Sequence, residues 1–223
     1  MNKILKIFEI LLGLPKSLYF NIYYFGILKG IKLPILLSNK VKLLKMSGIV
    51  ELVNMEIKTG VVKIGFESIG VFDYKKSRSI WEVSGIVRLN ENITIGQGAK
   101  ICVLKNGVLE IGKNFNLTGE SKIICNKNII FGDNCLIAWD NLFMDTDFHN
   151  VVNLDNIILN NDKEIRIGNK VWIGNGSTIL KGTKILDNTV IASNSRVSSK
   201  FNIGEVIIGG NPGKIIKENI KWK

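Results

Sequence analysis

The feature that most constrains this chain is an aliphatic side chain at every sixth position between Ile167 and Val197. The stretch reads IGNKVW IGNGST ILKGTK ILDNTV IASNSR V, and Gly, Ala or Leu usually follows the aliphatic residue. A helix repeats at about 3.6 residues and a half-buried strand at about 2, so neither element accounts for this interval. A period of six predicts short strands separated by bends.

The same interval recurs upstream and slips twice, near residues 105–109 and 128–130. The upstream positions are Val83, Leu89, Ile95 and Ile101, then Ile111, Leu117 and Ile123, then Phe131, Ile137 and Phe143. Hexapeptide repeats mark a parallel β-helix. Three units per triangular coil would point each apolar side chain inward, about 4.8 Å from its equivalent in the next coil. Periodicity alone leaves the hand open, because parallel crossovers are in general right-handed.

The repeat predicts three regions and one interruption. Residues 61–208 form the prism, residues 1–60 a helical or extended segment, and residues 209–223 a basic tail that ends as a short helix or a strap. After Phe143 the spacing continues without apolar side chains until Ile167. Residues 150–164 are therefore predicted to be a polar loop outside the prism, and loops on rigid scaffolds often carry function.

Within the first 60 residues we expect one or two helices, at 4–12 and 16–28, and an extended piece at 34–44. Charged residues interrupt the apolar runs well before the ~20 residues that a spanning helix needs; they are Lys6, Glu9, Lys16 and Lys29. No small-residue cleavage site follows, so no signal peptide is predicted. Two interpretations stay open, peripheral contact with the inner membrane face and packing against the rest of the chain, and the second is favoured.

Composition narrows the classes of partner. A 46% hydrophobic content indicates a globular core, and a net charge of +11 favours phosphates, anionic glycans or an acidic membrane surface. No nucleic-acid recognition signature is present, so we expect no nucleic-acid partner. The odd cysteine count and the lack of a close pair argue against a disulfide framework, so a reducing compartment, the cytoplasm, is predicted.

Three segments of the sequence resemble the hexapeptide-repeat acyltransferases. They are the repeat run of residues 167–199, the closing GGNPGKIIK that starts at Gly209, and the MDTDFHN segment that contains His149. This family includes galactoside, maltose, serine and many sugar or capsule acetyltransferases. The resemblance implies an all-β, left-handed parallel β-helix, a homotrimer, and acetyl-CoA bound between neighbouring prisms, with no metal.

His149 is the predicted general base. Acetyl transfer from a thioester to a sugar hydroxyl needs a group that takes the hydroxyl proton, and histidine suits this at neutral pH. His149 is the only histidine of the chain, and it matches the histidine of the family. Asp147 and Asp145 would lie on the same side of an extended segment. Either carboxylate could orient the ring or bind the acceptor sugar, and Asn141 and Trp139 could line the acceptor pocket.

The resemblance also implies a set of residues that bind acetyl-CoA. We expect Trp172, Gly174 and Asn175 beside the pantetheine arm and thioester, Ser193 beside that arm, and Lys214 and Lys217 near the phosphates. Backbone N–H groups left unpaired at a coil corner would stabilise the oxyanion. Ser198 belongs to the same predicted set, although it falls where relatives often have Thr-Lys and the sequence has Ser198-Ser199-Lys200 instead. The contacts to the adenosine end are therefore left open.

The sequence favours an O-acetyltransferase for a glycan or glycan precursor. An N-acetyltransferase for an amino-sugar nucleotide is the alternative within the family, because His149 would serve an amine equally well. A silent solenoid used for binding or assembly is the alternative from another class. A zinc hydratase on the same prism needs three histidines, and a nucleotidyltransferase needs a Gly-rich domain upstream; the sequence has neither.

Overall fold

The computed structural model describes residues 3–66, 70–73 and 76–223, with the side chains of α1 described from residue 7. In these ranges one helix precedes a series of short strands, most of them two to four residues long. The elements are α1 (Lys3–Gly30), β1 (Ile35–Leu37), β2 (Lys42–Lys45), β3 (Ile49–Leu52), β4 (Val62–Phe66), β5 (Ile80–Val83), β6 (Ile86–Leu89), β7 (Ile93–Gly96), β8 (Lys100–Val103), β9 (Val108–Ile111), β10 (Phe115–Leu117), β11 (Lys122–Cys125), β12 (Asn128–Phe131), β13 (Leu136–Ile137), β14 (Leu142–Met144), β15 (Ile165–Ile167), β16 (Trp172–Ile173), β17 (Thr178–Leu180), β18 (Lys184–Ile185), β19 (Val190–Ile191), β20 (Arg196–Val197), β21 (Ile207–Gly209) and β22 (Lys214–Lys217).

The strands form three parallel sheets that the chain visits in turn. Sheet A runs β1-β4-β7-β10-β13-β16-β19-β21-β22, sheet B runs β2-β5-β8-β11-β14-β17-β20, and sheet C runs β3-β6-β9-β12-β15-β18. All pairs are parallel except β21 with β22, which is antiparallel. Every third strand joins the same sheet, so each circuit of the chain makes one triangular coil. The predicted fold class, an all-β left-handed parallel β-helix, is confirmed.

The hexapeptide residues fill the interior of the prism. In sheet A, Ile95, Leu117, Ile137 and Ile173 pair in succession, and all four are buried. Each of the periodic positions noted in the sequence, from Val83 to Val197, is buried in the same way. Stacked apolar side chains at strand spacing remove their surfaces from water along the whole axis, which is the main favourable contribution to such a fold.

The two slips of the repeat have one structural cause. Both occur between sheet B and sheet C, where extra residues separate Ile101 from Ile111 and Ile123 from Phe131. The long interruption after Phe143 leaves the prism between the same two sheets, at β14 and β15. The B–C edge of the prism therefore takes up every departure from the period of six between Val83 and Val197.

The prism begins earlier than the predicted boundary at residue 61. Strands β1, β2 and β3 pair in parallel with β4, β5 and β6 and make a first coil that starts at Ile35. The stacked residues of this coil are Leu37, Leu43 and Leu52, which stand at unequal intervals, and Leu43 is only partly buried. The period of six is lost there, so the sequence pattern does not reveal the coil. At the other end, β22 and the residues after it form the predicted strap.

Helix α1 closes the open end of sheet A with polar side chains. Asn21 accepts a hydrogen bond from the Ile35 N–H at 3.0 Å and donates to the Ile35 carbonyl at 2.6 Å. The Ser17 hydroxyl accepts from the Leu37 N–H at 2.8 Å. Both side chains are buried. They satisfy edge groups of β1 that would otherwise be orphaned at the end of the sheet.

The predicted helices at 4–12 and 16–28 are parts of α1, which runs through Pro15 and carries a non-helical residue at Gly26. Its close approach to β1 depends on Gly13. A Cβ added there would lie 2.0 Å from the Leu37 carbonyl oxygen. No side chain fits in that space without moving the helix away from the strand.

We expect Gly13→Ala to destabilise the protein by about 1–3 kcal/mol through overpacking. In an exposed helix the same substitution would stabilise by about 1 kcal/mol, so the sign of the effect is diagnostic. Urea unfolding followed by circular dichroism measures it. Gly70→Ala is the matched control, because nothing lies within 4 Å of a Cβ at that position. A Gly13→Ala protein as stable as wild type would contradict the close helix–strand contact.

Candidate active site

Residues 145–164 form the loop that leaves the prism at the B–C edge. The loop folds as a hairpin, in which Val152 bridges Ile158 in antiparallel fashion and the Leu159 N–H donates to the Val151 carbonyl at 2.8 Å. The prediction of a loop at 150–164 thus holds for its position. The prediction that it is polar is wrong, because seven large apolar side chains are exposed on it: Phe148, Val151, Val152, Leu154, Ile157, Ile158 and Leu159. The hairpin stands away from the prism, and nothing within the described residues covers these side chains.

A small polar network holds the root of this hairpin beside His149. Asn160 Nδ2 donates to Asp147 Oδ2 and to the His149 carbonyl, both at 2.8 Å. Lys181 Nζ donates to the same Asp147 oxygen and to the Asn160 carbonyl, both at 2.5 Å. The hydrogen bond from Lys181 lowers the pKa of the Asp147 carboxyl. The network fixes the loop backbone at His149, whose side chain is exposed.

Sequence reasoning missed Lys181 and Asn160, and it assigned Asp147 to the imidazole. The hydrogen bonds described for the Asp147 carboxylate go to Lys181 and Asn160 instead. Lys181 lies one coil further along the chain, so no sequence spacing could have paired it with Asp147. A role for Asp147 in orienting the His149 ring therefore stays a prediction.

Asp145 does not belong to an acceptor pocket, and that prediction is wrong. Its carboxylate is fully buried and accepts hydrogen bonds from the backbone N–H groups of Asn126, Lys127 and Asn128 at 2.7, 2.9 and 2.7 Å. These residues are the extra ones at the B–C corner of the preceding coil. A carboxylate supplies acceptors for several converging N–H donors. Asp145 thus holds the corner from which the loop departs.

Asn141 is also structural, which corrects its predicted place in the acceptor pocket. The side chain is buried, with Nδ2 donating to the Ala138 carbonyl at 2.7 Å and Oδ1 accepting from the Ser177 N–H at 2.7 Å. The Asn141 N–H donates to the Ser121 hydroxyl at 3.0 Å. At the corner between sheets A and B, the Asn141 side chain thus joins two successive coils, and its backbone N–H reaches the third.

A surface cleft of about 280 Å³ brings together five of the predicted site residues. They are Trp139, Trp172, Gly174, Asn175 and Ser193, joined by the apolar side chains of Leu136 and Ala138. The cleft lies at the A–B edge, where these residues lie in or shortly after β13, β16 and β19. Its mostly apolar walls suit the thin, largely apolar arm of an acyl thioester.

Gly174 keeps this cleft open at the coil corner. A Cβ on Gly174 would lie 2.7 Å from Ser193 N and 2.8 Å from its Oγ. The Ser193 hydroxyl donates to Asn175 Oδ1 at 2.9 Å. The Gly174 N–H itself donates to the Ile191 carbonyl at 2.8 Å. It is therefore already paired and is not one of the free donors expected at this corner.

The two predicted tail lysines continue the same sheet. Trp172 pairs with Val190, Val190 with Ile207, and Ile207 with Lys217. Lys217 therefore stands in the row of Trp172, three strands away, which is about 14 Å at normal strand spacing. Lys214 pairs with Gly209, two positions beyond Ile207, and both lysines are exposed.

Ser198 does not join this surface. It follows β20 at the B–C edge, whereas the cleft is at the A–B edge. Trp222 is an addition that sequence reasoning missed. Its ring lies 6.3 Å from that of Trp172, and its Nε1 donates to the Lys170 carbonyl at 2.9 Å. The terminal strap thus reaches the wall of the cleft, which only the folded chain could show.

The histidine loop and the cleft occupy different edges of one prism. Sheet B separates them, and the bonds that tie the loop to the prism run to residues of the B–C edge, including Asn126, Asn128 and Lys181. A single chain in this conformation presents the proton acceptor on one edge and the cleft on another.

Other candidate groups are unsuited to catalysis. The cysteines Cys102, Cys125 and Cys135 are free thiols. Burial raises the pKa of Cys135 to about 12, and burial together with Asp145 raises that of Cys125 still further. Neither thiol would ionise near neutral pH. Among the residues that the structure describes, no group of three His, Cys, Asp or Glu side chains is arranged to hold a metal ion.

Comparison with known proteins agrees with the repeat. Residues 164–199 match the family model described as bacterial transferase hexapeptide (six repeats). The chain carries the hexapeptide repeat of the bacterial transferases. The resemblance to the hexapeptide-repeat acyltransferases is confirmed for the repeat in these residues. No curated protein sequence matches the chain.

Solved structures give three further likenesses. The polysialic acid O-acetyltransferase OatWY is 25% identical with a TM-score of 0.53, over 82% of this chain and 90% of that one. The polySia-specific acetyltransferase NeuO is 22% identical with a TM-score of 0.57, over 84% and 74%. A galactoside acetyltransferase in complex with coenzyme A is 28% identical with a TM-score of 0.47, over 55% and 60%. The likeness to NeuO is one of fold.

We expect Lys181→Met to loosen the hairpin without unfolding the prism. Loss of this ion pair, in which Lys181 is mostly buried and Asp147 is exposed, should raise opening of residues 145–164 about fivefold, equivalent to about 1 kcal/mol. Hydrogen exchange by mass spectrometry measures this opening, with Lys122→Met, a change of an exposed lysine of β11, as the control.

The pKa of Asp147 is lowered in the folded chain. The ion pair therefore gives the loop its full stabilisation at pH values above the ordinary carboxyl pKa. That stabilisation is lost as the pH falls through the lowered pKa of Asp147. Unchanged exchange at neutral pH would contradict the anchor.

Proposed function

We propose that this protein is an acetyl-CoA-dependent O-acetyltransferase that acts on a hydroxyl group of a sugar or surface-polysaccharide precursor. The observation that carries the proposal is the exposed His149, held at the root of the only hairpin that the described prism throws out. The apolar cleft with Trp172 and Gly174 supports it, as does the likeness to an O-acetyltransferase over 90% of that chain.

The chemistry follows from these two features. His149 accepts the proton of the acceptor hydroxyl as its oxygen attacks the thioester carbonyl, so a C–O bond forms. The C–S bond then breaks, and the proton passes from the imidazolium to the leaving thiolate of coenzyme A. The cleft holds the acyl arm between Trp172 and Trp139. The row of sheet A that starts at Trp172 ends at Lys217, and Lys217 and the nearby Lys214 are cations suited to the phosphates of coenzyme A.

We propose that the working unit is a homotrimer in the cytoplasm. The histidine loop and the cleft lie on different edges of one prism, so a neighbouring copy is needed to bring them together. The exposed apolar side chains of the hairpin, such as Leu154 and Ile157, fit that role, because contact with a second prism would remove them from water. The free thiols suit a reducing compartment.

The decisive variant is His149→Ala. We expect it to lower acetyl transfer by about 10²- to 10⁴-fold, the usual contribution of a general base, while unfolding is unchanged. The release of coenzyme A thiol is followed with simple sugars, bacterial oligosaccharides and amino-sugar nucleotides as acceptors. Asn150→Ala, an exposed neighbour, is the control.

Each outcome of this assay separates the candidates. Thiol release that needs a hydroxyl acceptor and His149 supports the O-acetyltransferase, and release only with an amine supports an N-acetyltransferase. Full activity in His149→Ala would overturn the base assignment. No release with any acceptor, together with no binding of acetyl-CoA, would identify a silent solenoid.

A mixing experiment tests whether two copies build one site. Ser193→Trp fills the cleft from an exposed position, and His149→Ala removes the base, so each homotrimer should be inactive. Random co-assembly in a three-fold ring would restore both intact halves at about a quarter of the sites. Activity near a third of wild type is expected in co-expressed, doubly tagged assemblies, because every mixed trimer has one intact site in three. Inactive mixed assemblies would show that one chain supplies both halves.

A further inference from the structure

Helix α1 presents many of its apolar side chains outward. Its buried face bonds the edge strand β1 through the small or polar residues Gly13, Ser17 and Asn21, and Phe20 on that face packs against Trp81. On the opposite face, Ile7, Phe8, Leu11, Leu12, Leu18 and Tyr19 recur at helical spacing, and all are exposed. These side chains are 41–58% exposed, so the described part of the prism leaves this face largely uncovered.

The same end of the chain holds most of the net charge. The first 50 residues contain eight lysines and one glutamate, whereas the remaining 173 contain 22 basic and 18 acidic residues. The one acid, Glu9, is buried, and burial raises the pKa of its carboxyl although Lys40 lowers it. Lys29 and Lys32 are exposed at the end of α1. In residues 7–50 the apolar face is thus bordered by cations without an exposed carboxylate.

We propose that α1 is an interfacial anchor that lies on an anionic lipid surface. An apolar face edged by lysines binds such a surface by burying its side chains among the acyl chains while the ammonium groups meet lipid phosphates. Exposed tyrosines favour the membrane–water interface because their rings are amphipathic. Tyr19 and Tyr23 are exposed and lie side by side on α1, with ring centroids 6.3 Å apart.

The geometry of the prism agrees with a peripheral contact. Within the described part of the chain, no helix combines the length and apolarity needed to cross a bilayer. Strand β1 is the first strand of sheet A and β22 the last, so α1 and the C-terminal strap stand at opposite ends of the prism. The exposed β2 residues Lys42 and Lys45 add positive charge at the α1 end. Two copies of this face would repel each other through these cations, which favours lipid over a second chain.

Vesicle sedimentation of the full chain tests the anchor. The probes are phosphatidylcholine vesicles and phosphatidylcholine vesicles with about a third phosphatidylglycerol. We expect binding to the anionic vesicles and little binding to the neutral ones. The double variant Phe8→Ser with Leu11→Ser should weaken binding at least about tenfold, because two outward apolar side chains no longer enter the lipid. Lys29→Gln with Lys32→Gln should weaken binding and reduce its salt dependence.

Ile216→Ser is the matched control, since Ile216 is equally exposed but lies on β22 at the other end of the prism. It should bind like wild type. Absence of binding to anionic vesicles overturns the proposal, as does equal binding by the Phe8 and Leu11 variant. A change of oligomeric mass in that variant, without any vesicle binding, would assign the face to contact between copies. The assay needs no acceptor or acetyl-CoA, so its result is independent of the proposed enzyme activity.

Discussion

The structure depends on one repeated contact, an aliphatic side chain stacked on its equivalent in the next coil. The stack of Ile95, Leu117, Ile137 and Ile173 in sheet A is typical. Each coil buries its interior only against the coils above and below, so the prism is stabilised along one dimension. The contact requires strict spacing within a coil but tolerates insertions at the corners, where the chain points outward.

The insertions after Val83 fall on the B–C edge of the prism, and the candidate base His149 lies beside them. Asp145 shows how the prism accommodates this, because its buried carboxylate holds the backbone of the preceding insertion. The hairpin can then depart from a fixed corner with His149 at its root. The cleft on the A–B edge arises differently, since Gly174 lets the Ser193 corner of the next coil approach closely. Rigid coils thus present the two candidate surfaces on separate edges.

Sequence patterns predicted the coils well where the period was regular and poorly where it was not. The first coil was missed because Leu37, Leu43 and Leu52 follow unequal intervals. In the site, Trp172, Gly174 and Ser193 were assigned together through the resemblance to the acyltransferases, and they line one cleft. Asp145 and Asn141 were misassigned because the sequence pattern around a polar residue near a loop is the same in two cases: when the side chain faces solvent and when it bonds the backbone of a neighbouring coil.

The sequence by itself determined the β-helix, its interruption before Ile167 and the unique histidine at that interruption, because these depend on local periodicity and residue identity. Only the tertiary structure decided that Lys181 and Asn160 anchor the loop, that Trp222 reaches Trp172, and that α1 turns its apolar face outward. These features depend on contacts between residues far apart in the chain. The spacing within a repeat carries no information about which coil, edge or end such residues will meet.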